Sequence, residues 1–340
     1  MTFRWYGEDD PVTLDKIRQI PGVTGSVSAI YDIPVGEVWP LERIMKLKND
    51  IEAKGLNLSV IESVPVHEDI KTGDGNRDKY IENYCQTLRN LAQAGVDCVC
   101  YNFMPVFDWT RSRLDQPLPD GSNALVYYKE DVDKMDPTKM TLPGWDASYS
   151  PDEISGLIEE YKKIGEEGLW QNLEYFIKEI MPTAIEYDVK MAIHPDDPAW
   201  PVFNLPRIIT CKENVLKLFR AVDNPHNGLT FCTGSLGAGR FNDLPDMAKK
   251  YASRIYFAHI RQLQYHGDMD FTEMGHLTSA GNLDIYAIVK GLVEAGFEGY
   301  VRPDHGRNIW GEDGKPGYGL YDRALGAAYL NGLFEAIEKK

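Results

Sequence analysis

The chain has 340 residues, 43% of them hydrophobic and 26% charged, with a formal net charge of −16 at pH 7. That balance suits an ordinary globular chain and disfavours nucleic acid or an anionic membrane as partner, since both reward basic surfaces. It leaves room for a small anionic substrate, because one metal ion or arginine can reverse the sign inside a pocket.

Short β-rich runs alternate with helical patterns from end to end. TFRWY at 2–6 reads as the first strand, followed by a short helix around VTLDKIRQI. VTGSVSAI at 23–30 comes next, then a helix near 40–54 closed by Gly55. LNLSVIESV at 56–64 leads to a helix at 77–94, and VDCVCYNFM at 96–104 is the fourth strand. A Pro-rich and polar stretch, 105–150, then breaks the rhythm before a helix or helix pair at 151–184. VKMAIHP at 189–195, GLTFCTG at 228–234, RIYFAHIR at 254–261 and EGYVRPD at 298–304 supply strands five to eight. Their helices fall near 212–222, 243–252, 283–295 and 320–338.

Near-continuous apolar runs are what parallel strands buried on both faces require. Eight strand–helix units therefore predict one α/β domain over 1–340, a (β/α)₈ TIM barrel with a long insertion after strand four. A doubly wound open sheet is the rival, but VTGSVSAIYDIPVG carries no Gly-rich phosphate turn. The insertion at 105–150 holds Phe107, Trp109, Tyr127, Tyr128 and Trp145, so it reads as a lid or an oligomer contact. No apolar run approaches the roughly 18–20 residues that span a bilayer, and MTFRWYGEDD lacks the pattern of a signal peptide. Five cysteines without CxxC spacing argue against a disulfide framework, so a reducing cytoplasm is the expected location.

Active sites of such barrels lie at the C-terminal ends of the strands. Strands five to eight end in His194, Cys232, His259 and Asp304, a ligand set suited to a divalent transition metal. Singly, each has a plainer reading: Cys232 as a small buried hydrophobe, the histidines as satisfied core residues, Asp304 as a cap. Four coincidences on one ring are harder to accept. His305, next to Asp304, is a candidate acid or base, and Tyr318 and Tyr321 are candidate proton donors or core residues. Arg111 and Arg261 could grip a carboxylate with two parallel hydrogen bonds, or form surface ion pairs. His67 could face the pocket, Arg307 supplies a polar contact, and His266 or His276 could touch a ligand. His226 falls at the opposite end of the barrel.

Six stretches together, IESVPVHEDIK, CYNFMPVFDWTR, MAIHPDDPAWP, FCTGSLGA, YFAHIRQ and VRPDHGR, resemble the bacterial mannonate dehydratase family of hexuronate catabolism. The similarity runs from FRWYG to the last helix. It implies a xylose-isomerase-like barrel that removes water from D-mannonate to give 2-keto-3-deoxy-D-gluconate. It also implies a divalent metal, manganese first and iron, cobalt or zinc as alternatives, on His194, Cys232, His259 and Asp304. His305 and Tyr318 become the expected proton-transfer pair, with Arg111, Arg261, His67 and Arg307 around the substrate. A homo-oligomer, dimer or tetramer, is the expected assembly. The rivals are a sugar isomerase or metal-dependent hydrolase on the same barrel, and a non-catalytic sugar-acid-binding barrel.

Overall fold

The computed structural model describes residues 1–139 and 150–339. Eight strands form one parallel sheet: β1 (Thr2–Arg4), β2 (Gly25–Ser28), β3 (Asn57–Glu62), β4 (Cys98–Tyr101), β7 (Lys190–Ile193), β8 (Asn227–Cys232), β9 (Ile255–Ile260) and β12 (Tyr300–Pro303). They neighbour one another in that order, as a (β/α)₈ barrel requires. At the seam Thr2 donates its Oγ1 hydrogen to the Val301 carbonyl at 2.9 Å, tying β1 to β12. The main apolar core lies between strands and helices. A smaller cluster, Val27, Val60, Cys98, Cys100, Ala192 and Phe257, comes from strands β2, β3, β4, β7 and β9. Cys98 and Cys100 share a face of β4 because side chains alternate along a strand.

The remaining strands make a second sheet that the sequence reading did not anticipate. β5 (Arg113–Pro117) and β6 (Asn123–Tyr127) form a hairpin inside the insertion, and β10 (Gln262–Tyr265) and β11 (Phe271–Met274) form another directly after β9. The hairpins join antiparallel through β6 and β11, with Phe271 opposite Tyr127. Pro119-Asp120-Gly121 turns the first hairpin, and Gly121 sits at φ +85°, where a side chain would be strained. Asp120 accepts from the Ser122 N–H at 3.0 Å, the local bond that makes aspartate a turn residue. The insertion is thus anchored through residue 139, while Trp145 lies outside the described residues.

The expected helix pair after the insertion is Pro151–Glu186, interrupted at Gly165, whose φ 61°, ψ −167° is not helical. Ser150 and Glu153 cap it reciprocally: Glu153 accepts from the Ser150 N–H at 2.7 Å and Ser150 Oγ accepts from the Glu153 N–H at 3.4 Å. The first expected helix shrinks to one turn, Leu14–Ile17. Two short helices, Glu68–Thr72 and Thr233–Ala238, had no periodic signal long enough to read.

Candidate active site

A cavity of about 290 Å³ opens where the barrel strands end. Its wall includes Glu62, Cys100, His194, Arg261, Arg302, Asp304, His305 and Tyr318. Parallel register sets three strand residues at one level beside it: Cys232 is paired with His259, and His259 with Arg302.

His194, Cys232 and His259 offer ligand atoms that all lie within 4.8 Å of one another. Asp304 stands beside them, Oδ2 3.4 Å from Cys232 Sγ. His194 Nδ1 faces the Pro195 carbonyl at 2.7 Å, so its hydrogen belongs there and Nε2 keeps its lone pair. Burial, then the Arg302 guanidinium, holds His259 well below the usual imidazole range. Its Nε2 is buried without a hydrogen-bond partner. Burial also lowers His194, so both rings are neutral at pH 7. Burial pushes the Cys232 thiol up to about 12 although Arg261 opposes it. The donors fit a divalent cation: two neutral imidazoles, a carboxylate, and a thiol that a cation would deprotonate. Glu62, Cys100 and His259 form a second close triad. It shares His259, and Arg302 already holds Glu62 through Nε at 3.1 Å and Nη2 at 2.9 Å. A cation there would face that guanidinium.

Around the cluster runs a network of four arginines and four carboxylates, all buried but the partly exposed Glu62, so their formal charges cancel. Arg302 spans Glu62 and Asp304, its Nη1 lying 2.8 Å from Asp304 Oδ1. Arg261 reaches Asp197 at 2.7 Å and Asp304 at 3.0 Å. Arg111 grips Asp197 with two bonds of 2.8 and 3.0 Å and donates Nε to Glu273 at 2.8 Å. Arg4 pairs with Glu62 and donates to Tyr31. Burial alone would raise the acids. Arg302 and Arg261 instead bring Asp304 well below the usual carboxylate range, and His305 with Arg261 brings Glu273 down to about 2. A dication, a thiolate and a monoanionic substrate would enter without net charge, which is why a neutral buried frame suits them.

His305 is held at both ends. Nδ1 faces Glu273 Oε2 at 2.9 Å, and Nε2 faces the Tyr318 hydroxyl at 2.9 Å. Burial pushes the Tyr318 phenol up to about 12. Tyr6 packs edge-on against Tyr318, ring centroids 4.9 Å apart. Gly234, next to the Cys232 turn, lets Arg261 lie close, since a β-carbon there would stand 1.6 Å from its Nε.

Three expected substrate contacts are placed elsewhere. Arg111 is behind the wall, its side chain 0% exposed, committed to Asp197 and Glu273. Arg307 holds Asp322 and Asp120 at 3.0 and 2.8 Å, clamping the insertion turn to the last helix. His67 caps the helix Glu68–Thr72 and stacks on Tyr80 at 3.8 Å. Tyr321 is exposed and packs on Trp310, and His226 pairs with Asp188. His266 meets the Thr272 hydroxyl at 2.8 Å. Glu62, Asp197, Glu273, Arg302, Arg4 and Tyr6 were missed. Arg302 and Asp197 had a signal, since VRPD puts Arg302 on the same face as Asp304 and HPDDP sets Asp197 three residues past His194.

His276 is buried, with neither ring nitrogen hydrogen-bonded, and burial lowers its pKa to about 4. Above the unfolded value near 6.5 the ring is neutral in both states. Below it the unfolded chain takes the proton first, so stability falls as pH drops from about 6.5 to about 4 and the loss then levels off. The expected contribution to that loss is about 3 kcal/mol. Denaturant unfolding of the metal-free protein at pH 7 and 4.5 checks it: His276→Gln should lose roughly 2–3 kcal/mol less than the parent over that interval.

Residues 1–340 match the protein family described as D-mannonate dehydratase (UxuA). The chain is 56% identical over 341 residues to mannonate dehydratase 2 of Halalkalibacterium halodurans, the match covering 99% of each. Its fold superposes with a TM-score of 0.94 on the crystal structure of mannonate dehydratase from Streptococcus suis serotype 2, at 53% identity, covering 100% of this chain and 95% of that one. A xylose isomerase domain protein from Planctomyces limnophilus shares the barrel alone, at 11% identity and a TM-score of 0.57, covering 100% and 99%.

Proposed function

The chain belongs to the D-mannonate dehydratase family, a family of hydro-lyases that act on a small sugar acid, and from that premise we propose how its barrel mouth removes water from D-mannonate. The observation that carries the reading is the His305–Tyr318 pair standing beside the His194, Cys232 and His259 cluster.

His305 is the base for the C2 proton. Nδ1 lies 2.9 Å from both Glu273 Oε2 and Arg261 Nη1; with its hydrogen toward the carboxylate, Nε2 keeps the lone pair on the side of Tyr318, which lines the cavity. Tyr318, a phenol at neutral pH with its pKa raised to about 12, protonates the departing C3 hydroxyl. The two protons balance. One leaves C2 for His305, one leaves Tyr318 with water, and the 2.9 Å bond between the pair returns His305's proton to the phenolate. The enol left behind loses its O–H proton and gains one at C3, giving the 2-keto-3-deoxy acid. Arg261 and Arg302, both lining the cavity, face the charge that develops on the substrate. A divalent cation on His194, Cys232, His259 and Asp304, with manganese the expected ion, would supply Lewis-acid stabilisation of that charge. Asp108 and Trp109 bring the insertion into the cavity wall, which supports its reading as a cover that excludes water. Glucuronate breakdown in a reducing cytoplasm, by a homo-oligomer, completes the proposal.

Incubating metal-loaded protein with D-mannonate and assaying for a 2-keto-3-deoxy acid tests it. Isomerisation of neutral aldoses without action on mannonate would favour the isomerase reading.

The cation has its own test. Cys232 must lose a proton from a thiol whose pKa is about 12, so metal binding should release protons and weaken as pH falls. Cys232→Ser should weaken zinc by about tenfold or more and manganese by less, since sulfur is the softer donor. Calorimetric titration with each ion reads both. Equal affinities in parent and variant would make Cys232 a packing residue.

A further inference from the structure

A strongly acidic protein must bring an anion to its active site against its own field. The chain carries −16 overall, and three of the four cations lining the cavity are already committed. Arg4 pairs with Glu62, Arg302 with Glu62 and Asp304, and Arg261 with Asp197 and Asp304. The fourth is Lys315. It is exposed, and among the described residues no carboxylate lies within 4.0 Å of its ammonium. Its Nζ instead rests over the Tyr6 ring, 4.4 Å from the centroid.

The lysine is also held in place by its backbone. Lys315-Pro316-Gly317-Tyr318 is a tight turn in which the Lys315 carbonyl accepts from the Tyr318 N–H at 2.8 Å. Proline second and glycine third is the type II pattern, which demands a positive φ at the glycine, and Gly317 has φ +77°. The Gly317 carbonyl accepts from the Gly306 N–H at 2.9 Å, pinning the turn beside His305. The backbones that carry the Lys315 ammonium and the Tyr318 phenol are therefore the two ends of one hydrogen-bonded turn. Of the two acids just before it in the chain, Glu312 is occupied with the Tyr321 N–H at 3.1 Å and the Leu320 N–H, and Asp313 lies beyond 4.0 Å of the ammonium.

We propose that Lys315 is a specificity-determining residue, the cation that draws the carboxylate of the sugar acid into the mouth and makes the enzyme favour acids over neutral polyols. This rests on the sugar-acid reading above. The Tyr6 ring parks the ammonium by a cation–π contact weak enough to be exchanged for an arriving carboxylate. An ion pair at the mouth favours both the encounter with an anion and its bound state, and salt screens both.

Lys315→Gln should lower kcat/KM for D-mannonate by about tenfold, within the range of electrostatic steering, with a smaller fall in kcat. Raising ionic strength from about 0.02 to about 0.5 M should depress the parent's kcat/KM and affect the Gln variant much less. Lys315→Arg should recover most of the loss. A Gln variant whose kcat/KM and salt dependence match the parent's would overturn the proposal, while the parent's turnover would leave the dehydratase reading standing. Equilibrium binding gives a second reading independent of turnover. The parent should prefer D-mannonate to D-mannitol by a factor that shrinks about tenfold in Lys315→Gln, and an unchanged factor would sink the proposal even if neither protein turned over.

Discussion

His305→Asn should lower the turnover of D-mannonate by about 10²-fold or more, the scale of a positioned acid or base, while fold and metal affinity stay near the parent's. Asparagine retains a polar group facing Glu273 but has no basic nitrogen for the C2 proton. The buried Glu273 carboxylate is still held by Arg111 and Arg261 at 2.5 and 3.8 Å, so the frame does not depend on the imidazole. Tyr318→Phe should be milder in structure and again damaging in rate, because only the hydroxyl 2.9 Å from His305 Nε2 is lost. The two residues act as one unit, so the double variant should be hardly slower than the worse single one. Single-turnover rates on metal-loaded protein of verified occupancy decide the matter. An Asn variant that turns over within a few-fold of the parent would remove His305 from the proton transfer.

Those two residues were readable in the sequence because they sit where barrel strands and their loops end. The same rule located His194, Cys232 and His259, each carried by a buried apolar strand whose length fixes where it stops. The counter-ions were not readable. Glu273 reaches Arg111 across 162 residues, through a hairpin pair whose strands, RLDQP and FTEM among them, are too short and too polar to announce themselves. Without that second sheet, Arg111 looks like a guanidinium waiting for a substrate. With it, the arginine already has its carboxylates. Arg307 misleads for the same reason, since its partner Asp120 lies 187 residues away in the insertion turn. Patterns of period two or 3.6 report which face of an element is buried, whereas ion pairing between loops depends on how distant loops meet.

Arg111→Leu should therefore behave as a stability variant first and a catalytic one second. Removing one partner of a buried ion pair typically costs about 3–5 kcal/mol, because the remaining charge is left without compensation. Here Asp197 keeps Arg261 at 2.7 Å, and Glu273 keeps His305 at 2.9 Å. That redundancy places the expected loss near the lower figure, about 3 kcal/mol. Both acids are held below the usual carboxylate range partly by Arg111, so both pKa values should rise in the variant. Groups with depressed folded values stabilise the fold above their unfolded pKa, and that contribution fades as pH falls through the folded one. The parent should shed the Glu273 contribution as pH falls from about 4.5 to about 2, whereas the variant, with a higher folded value, has less of it to lose. Denaturant unfolding from pH 7 to pH 3 would show the two midpoints converging as acid is added. Adding Asp197→Asn to Arg111→Leu should restore part of the loss, since it removes the one negative charge left in excess. If the double variant is no more stable than the single one, the Arg111–Asp197 pair contributes less than its two short bonds imply, and Glu273 is the partner that matters.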